Sequence, residues 1–127
     1  MTVLEFEYAA DYPGPALPVV EVDVRGPAGS RHVTALVDSG ADATLIPLRI
    51  LEEVDTPVID TRWARNITGG RYRVAMYLAD LSIGPLRFPA TEVITNHQTD
   101  EIVLGRDVLN QLITTLDGPA GVVSITR

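Results

Sequence analysis

The sequence contains no cysteine and only two histidines. Without cysteine the chain has no disulfide framework, no thiolate metal site and no cysteine nucleophile, and a reducing compartment is permitted. His32 and His97 lie in different segments without the His-x-x-x-His spacing of a metal site, so both are predicted to be surface or turn residues. We therefore expect no metal and no other cofactor, and a Ser-His-Asp mechanism has little support.

Basic residues are also scarce, with ten against 17 acidic residues and a net charge of −7. This balance argues against a nucleic-acid partner, because such binding needs a clustered basic surface. The only local basic cluster in the sequence comprises Arg62, Arg65, Arg71 and Arg73. These arginines are either the solvated edges of a hairpin or a contact for an acidic substrate. No uncharged run could span a bilayer and no signal peptide begins the chain, so we expect a soluble, cytoplasmic protein without a membrane partner.

The length of 127 residues suits one domain, residues 1–127, that buries a core without disulfides. Turn signals divide the chain into segments of strand length and predict an all-β fold; they lie at residues 13–15, 26–29, 69–70, 84–85 and 117–119. Val20, Val22 and Val24 alternate with charged residues, as in a half-buried strand. Residues 32–37 are its predicted hairpin partner and lead directly into Asp38.

Further along the chain the pattern predicts three hairpins, over residues 63–79, 81–88 and 113–125, with a strand at 90–95 between the second and the third. We expect the tip of the first hairpin to need a positive φ at Gly70. Apolar spacing over residues 47–54 predicts a short helical turn. After a buried strand at 102–104, Gly105 is expected to permit close backbone approach, and Asp107 to N-cap a short C-terminal helix that extends through Leu112.

One carboxylate stands out, because Asp38 lies between the apolar run Ala35-Leu36-Val37 and a Ser-Gly turn. Aspartate is almost never buried unless it is paired or hydrogen-bonded. The sequence therefore predicts an acid that is held in a low-dielectric site for a purpose, and catalysis is one such purpose.

The motif Asp38-Ser39-Gly40-Ala41 resembles the Asp-Ser/Thr-Gly-Ala signature of the retropepsin-like aspartic proteases. A second motif, residues 102–109 with Leu104-Gly105-Arg106 at its centre, is similar to the segment that crosses behind the active site in that family. The resemblance spans residues 17–116 and is closest to the cellular or bacterial single-domain type. It implies a closed β-barrel or sandwich with a flap hairpin and one short C-terminal helix.

The resemblance also implies an aspartic endopeptidase that acts on peptides or proteins as a homodimer, because the chain has only one Asp-Ser-Gly. Asp38, Ser39 and Gly40 would be catalytic, with water activated between the Asp38 carboxylates of two copies. The glycine-rich hairpin lies where the family has its flap, although an ordinary surface hairpin would look the same in sequence. An acid pH optimum is our hypothesis, because such a pair shares one proton.

Other roles follow from the same resemblance. Predicted substrate-binding residues are Ala41, Asp42, Ile67, Thr68, Gly69, Gly70 and Val103. Gly105 and Arg106 would support the site, with Arg106 paired to Asp42, although a solvated turn acid and a surface arginine would also fit. Candidate pocket walls that are equally well explained as core are Val37, Ile46, Ile67, Tyr72 and Val103.

Two departures from the viral pattern leave a second function open. The chain carries an N-terminal extension through Leu17 and a C-terminal segment over residues 112–127, whereas the viral enzymes dimerise through interleaved terminal strands. The chain ends are therefore expected to pair in a different way. A non-catalytic peptide-binding or dimerisation module with a retropepsin-like fold is the alternative.

Overall fold

The computed structural model describes residues 2–96 and 100–127, so His97 lies outside the described residues. Within them the chain is mostly β-strand, as predicted, with two short helices. The elements are β1 (Val3–Glu7), β2 (Val19–Gly26), β3 (Gly29–Val37), β4 (Leu45–Pro47), α1 (Leu48–Glu53), β5 (Val58–Arg65), β6 (Arg71–Ile83), β7 (Leu86–Asn96), β8 (Val103–Leu104), α2 (Arg106–Leu109), β9 (Ile113–Asp117) and β10 (Val122–Thr126).

Seven strands form the main sheet, in the order β2-β3-β8-β4-β7-β6-β5. Strand β2 also pairs with β6, through Val24 opposite Leu81, so the pairings from β2 to β6 close into a ring. Strand β5 lies outside that ring and pairs antiparallel with β6, so the two strands form a hairpin. The predicted β2–β3 hairpin is confirmed, with Val20, Val22 and Val24 buried on one face of β2.

The second sheet joins the two ends of the chain in the order β1-β10-β9. The predicted final hairpin is therefore present, with Val123 and Ile125 of β10 completely buried. No strand was predicted in the N-terminal extension, yet β1 pairs antiparallel with β10 over its whole length. Its apolar residues Leu4 and Phe6 pack against the core, which gives this short strand its stability.

Both helices are short, and two predictions about the second helix are wrong. Helix α1 agrees with the helical turn predicted over residues 47–54, and it ends before Asp55, which has a φ of 60°. Helix α2 starts after Gly105, which occupies the N-cap position, so Asp107 lies inside the first turn and does not cap the helix. The helix also stops at Leu109, before the predicted end, because the chain enters β9 at Ile113 and pairs there with β10.

The core lies inside the ring of strands and continues beneath the terminal sheet. Its largest completely buried side chains are Phe88, Ile46, Ile50, Leu51, Ile83, Leu104 and Ile125. None of the helices in residues 2–96 and 100–127 is long and apolar enough to cross a membrane.

Candidate functional site

Asp38 is the first residue after strand β3, and the neighbouring strand β8 fixes its backbone. Val37 pairs in parallel with Leu104, and the amide of Asp38 donates to the Leu104 carbonyl at 3.2 Å. The chain then turns, with the Ala41 amide donating to the Asp38 carbonyl at 3.2 Å and the Gly40 amide to Asp38 Oδ1 at 2.9 Å. The carboxylate is thus oriented by its own loop before any ligand arrives.

The burial of this acid differs from the prediction. Asp38 is half-buried, and the next two residues, Ser39 and Gly40, are exposed. The apolar flank Val37 is 9% exposed, so the low-dielectric environment ends with the strand. Because the chain leaves the sheet at this point, the carboxylate lies at a boundary where both water and a ligand can reach it.

Arg106, the first residue of α2, braces the loop that follows Asp38. Its guanidinium donates to the Ser39 carbonyl at 2.8 Å and forms an ion pair with the Asp42 carboxylate, and its amide donates to the Ala41 carbonyl at 2.9 Å. The Asp42–Arg106 contact expected from the resemblance is therefore present. Because the Asp42 side chain is 90% exposed, the ion pair adds little energy, and the bonds to carbonyls do most of the positioning.

Asp107 ties the same loop to α2 from the other side. Its carboxylate accepts hydrogen bonds from the Thr44 amide at 3.0 Å and from the Thr44 hydroxyl at 2.8 Å, and also from the Val108 amide at 2.9 Å. Thr44 is only 2% exposed, and its hydroxyl oxygen also accepts from the Gly105 amide at 3.2 Å. The two motifs of the sequence are thereby joined by a small polar network, in which Asp107 is the charged member.

Gly105 permits the close contact between those motifs. A Cβ at this position would lie 2.6 Å from both the carbonyl carbon and oxygen of Ala43, and 3.1 Å from the Ala41 oxygen. Backbone atoms cannot turn away as a flexible side chain can, so a larger residue would displace the loop. The close approach predicted for Gly105 is confirmed.

A groove of about 630 Å³ separates this loop from the β5–β6 hairpin. Its floor includes the predicted site residues Gly40, Ala41 and Asp42. Its other lining residues are Ala43, Leu45, Arg62, Trp63, Ala64, Arg65, Tyr72, Val74, Met76 and Ile94. The structure thus brings residues 40–43 of the loop and the hairpin to one groove, while Asp38 and Ser39 lie next to these residues and are not part of its lining.

Several predicted pocket residues lie elsewhere. Val103 is 5% exposed and pairs with Leu36 and Leu45 inside the sheet, so it belongs to the core and does not line the groove. Val37 and Ile46 are buried in the same way. Strand β8, which carries Val103, is covered on both faces. Its continuous apolar sequence is typical of such a buried strand and is as consistent with core as with a pocket wall.

None of the residues at the tip of the hairpin, 66–70, lines the groove, so the predicted substrate-binding residues Ile67, Thr68, Gly69 and Gly70 are not part of it. Asn66 organises the tip, since its side-chain oxygen accepts from the Gly70 amide and the Thr68 hydroxyl, both at 2.8 Å. The positive φ is at Gly69, with a value of 88°, so its expected position at Gly70 is wrong. A Cβ at Gly70 would instead lie 2.9 Å from the Asn66 side chain. Ile67 is fully exposed at the tip.

Tyr72, predicted as a candidate pocket wall, does line the groove, whereas the other apolar residues that the hairpin contributes were not predicted. Val74 and Met76 are each 6% exposed and face the groove together with Tyr72 and Ala64. The alternation of residues 71–79 was the available signal, because it gives strand β6 one apolar face. The alternation does not show whether that apolar face packs on the core or lines a groove.

Among the described residues, two titratable groups outside the loop have shifted pKa values. The pKa of Asp60 is lowered, chiefly by the hydrogen bond from the Thr61 amide and also by Arg62. The pKa of His32 is raised above 6.5, chiefly by its 2.8 Å contact with Asp23. In the described part of the chain, no group of three or more His, Asp or Glu side chains is arranged to hold a metal ion.

Comparison with known families places this geometry in context. The family described as "gag-polyprotein putative aspartyl protease" matches residues 24–111, which is more than half of the chain and contains both sequence motifs. DNA damage-inducible protein 1 of Chaetomium globosum is 30% identical over 102 residues, which cover 77% of this chain and 22% of that protein. The chain thus spans about a fifth of the length of this relative.

Solved structures show the same fold at low sequence identity. A retropepsin-like aspartic protease from Rickettsia conorii has a TM-score of 0.61 and 14% identity, with 98% of this chain and 91% of that chain covered. The EIAV protease complexed with the inhibitor HBY-793 has a TM-score of 0.58 and 14% identity, covering 80% of this chain and 93% of that chain. At this level of identity the likeness concerns the fold alone.

Proposed function

The chain belongs to the retropepsin-like aspartic proteases, and from that premise we propose that it is an aspartic endopeptidase that acts as a homodimer. Residues 1–127 would form one catalytic domain. The observation that carries the proposal is Asp38, which is oriented by the Gly40 amide at 2.9 Å and lies two residues before Gly40, the first residue of this loop that lines the groove. A loop held by Arg106, Asp107 and Gly105 is the kind of rigid support that a catalytic carboxylate needs.

The chemistry requires two carboxylates that share one proton. At a separation of about 3 Å two like charges cannot both ionise, so one Asp38 is a base while its counterpart is an acid. The base removes a proton from water as the water oxygen attacks the scissile carbonyl carbon, and the acid donates its proton to the developing oxyanion. Collapse of the tetrahedral intermediate breaks the C–N bond, with a proton transferred to the leaving amine. No covalent enzyme intermediate forms.

A homodimer would supply the second carboxylate, because the chain has only one Asp-Ser-Gly. Strand β9 supports this step, because within the described residues its outer edge has no neighbouring strand. Ile113 and Leu116 on β9 are 67% and 53% exposed. A strand edge with exposed apolar residues favours pairing with a second copy. In the dimer Ser39, which is exposed beside Asp38, would meet its symmetry mate.

The groove suits an extended peptide. The apolar residues Val74, Met76 and Ile94 line it together with Gly40 and Ala41, so it would accept bulky apolar side chains of a strand-like substrate. The β5–β6 hairpin would act as the flap, with residues Ile67 to Gly70 closing over the substrate and excluding water. Asp42, paired with Arg106, would border the site, and Gly105 would support it.

The test is peptide-library cleavage by the wild-type protein and Asp38→Asn in parallel, with cut sites mapped by mass spectrometry at several pH values from about 4 to 7, where a coupled pair can hold one proton. We expect cuts from the wild type alone, between apolar residues, at rates that decline towards neutral pH. Asn keeps the shape of Asp38 but cannot act as the base, so it is the matched control.

Two outcomes would contradict the proposal. Identical cuts from both proteins would mean that Asp38 is not the catalytic group. No cuts from a wild-type protein that is dimeric by analytical ultracentrifugation would favour the non-catalytic peptide-binding module instead.

A further inference from the structure

The four arginines of the β5–β6 hairpin do not share one environment. In the antiparallel register Trp63 is opposite Arg73 and Arg65 is opposite Arg71, so these four side chains project from the same face. Val74 and Met76, which line the groove, project from the other face together with Arg62. We call the first set, Trp63, Arg65, Arg71 and Arg73, the outer patch.

Charge compensation also differs between the two faces. Arg62 is ion-paired with Asp60 at 3.2 Å and lies 3.7 Å from Glu92. Among residues 2–96 and 100–127, by contrast, no ion pair involves Arg65, Arg71 or Arg73. In the described part of the chain, the guanidinium groups of these three arginines are thus not ion-paired with any carboxylate, although the chain has 17 acidic residues.

The outer patch has the composition of a binding surface. Trp63 is 59% exposed, and its ring lies 4.8 Å from the guanidinium carbon of Arg71 and 5.8 Å from that of Arg73. Tryptophan and arginine are the residues most enriched where binding energy concentrates at interfaces. Like charges directly opposite each other, as at Arg65 and Arg71, destabilise a hairpin, and local conflicts of this kind mark functional sites.

We propose that the outer patch binds an acidic segment of the polypeptide substrate, next to the stretch that occupies the groove. Guanidinium groups bind carboxylates in a bidentate manner, and the Trp63 ring holds two of them in place. The patch is on the opposite face of the two strands that border the groove, and Trp63 and Arg65 are themselves among the residues that line it, so a substrate chain that leaves the groove over the hairpin comes within reach of the patch. The rest of a chain with net charge −7 would repel such a segment and direct it to this patch.

This inference rests on the proposed function for its substrate, but it can be tested without catalysis. Trp63 is the single tryptophan of the chain, so its fluorescence reports directly on the patch. The titration uses Asp38→Asn protein, which would leave the peptide uncut. The two probes are a peptide with four consecutive glutamates beside an apolar stretch and the same peptide with glutamines in their place.

We expect a saturable change in Trp63 fluorescence with the glutamate peptide and at least tenfold weaker binding of the glutamine peptide. The difference should shrink as salt is raised, because the charges are exposed. Arg71→Gln/Arg73→Gln should abolish the preference while retaining Trp63. The control Arg25→Gln/Arg31→Gln, which removes two positive charges elsewhere, should leave it intact. Equal binding of both peptides, or a preference that survives Arg71→Gln/Arg73→Gln, would overturn the inference.

Cleavage separates this inference from the proposed function. If the wild type cuts the glutamine peptide but Trp63 does not respond to the glutamates, the function stands and the inference fails. If Trp63 responds but the wild type cuts neither peptide, the patch binds acidic segments and the proposed function fails. A response to a single-stranded oligonucleotide but not to the glutamate peptide would assign the patch to a different partner and overturn the inference.

Discussion

Replacement of Asp107 by alanine should destabilise the protein through the loop that carries Asp38. The carboxylate of Asp107 accepts three hydrogen bonds, two from Thr44 and one from the Val108 amide. In Asp107→Ala the Thr44 amide loses its acceptor in a site where Thr44 is 2% exposed. Water can therefore replace the missing partner only in part.

The magnitude follows from those bonds. A hydrogen bond to a charged group contributes about 1.5–3 kcal/mol, and a buried donor without a partner costs about 1–3 kcal/mol. Because Asp107 is half-buried and solvent compensates part of the loss, we expect Asp107→Ala to lower the free energy of unfolding by about 3 kcal/mol. Asp107→Asn, which keeps one acceptor oxygen, should cost about half as much.

Urea denaturation followed by circular dichroism measures this loss. The matched control is Asp117→Ala, because Asp117 accepts a single hydrogen bond, from the Ala120 amide, in an exposed turn. It should cost about 1 kcal/mol or less. If Asp107→Ala and Asp117→Ala lower the free energy of unfolding equally, the network at Thr44 is not what holds the loop. Coupling between Asp107→Ala and Thr44→Val of about 1 kcal/mol in a double-mutant cycle would support the network.

Three further predictions follow from other contacts. Gly105→Ala should cost about 1–3 kcal/mol in urea denaturation because its Cβ meets backbone, whereas Gly118→Ala, which meets nothing within 4 Å, should be near neutral; equal losses would contradict the clash. Gly69→Ala should cost about 1 kcal/mol because of its φ of 88°, and a neutral result would contradict that turn geometry. Because the pKa of His32 is raised in the folded protein, protonated His32 stabilises the fold fully below pH 6.5, and this stabilisation is lost as the pH rises through the native pKa. In an NMR titration Asp23→Asn should lower the pKa of His32. An unchanged pKa would show that Asp23 does not cause the shift.

The sequence predicts most of the strands because their alternation is a local property. Val20, Val22 and Val24 face the core as the period of two requires, and turn glycines separate the hairpins. The N-terminal strand β1 escaped prediction although Leu4 and Phe6 alternate with acids, because a lone short strand is stable only when another strand pairs with it.

The sequence predicted only the part of the candidate site that its two motifs contain. The resemblance identified the loop after Asp38 and its contact with Arg106, and Gly105 followed from the same motif. The N-cap role predicted for Asp107 was wrong, because an aspartate at the start of a helix suits both the N-cap and the first turn, and only the tertiary contact with Thr44 decides between the two. The arginines could not be assigned to faces without the register of the hairpin.

The most direct test of the shared site is subunit mixing. Wild-type protein is mixed with increasing amounts of Asp38→Asn at concentrations where both are dimeric, and peptide cleavage is measured per wild-type chain after exchange. If each site needs Asp38 from both copies, activity per wild-type chain falls to about half at equal mixing and to about a tenth with a ninefold excess of the variant. Activity per wild-type chain that stays constant at every ratio would contradict a catalytic pair built from two copies.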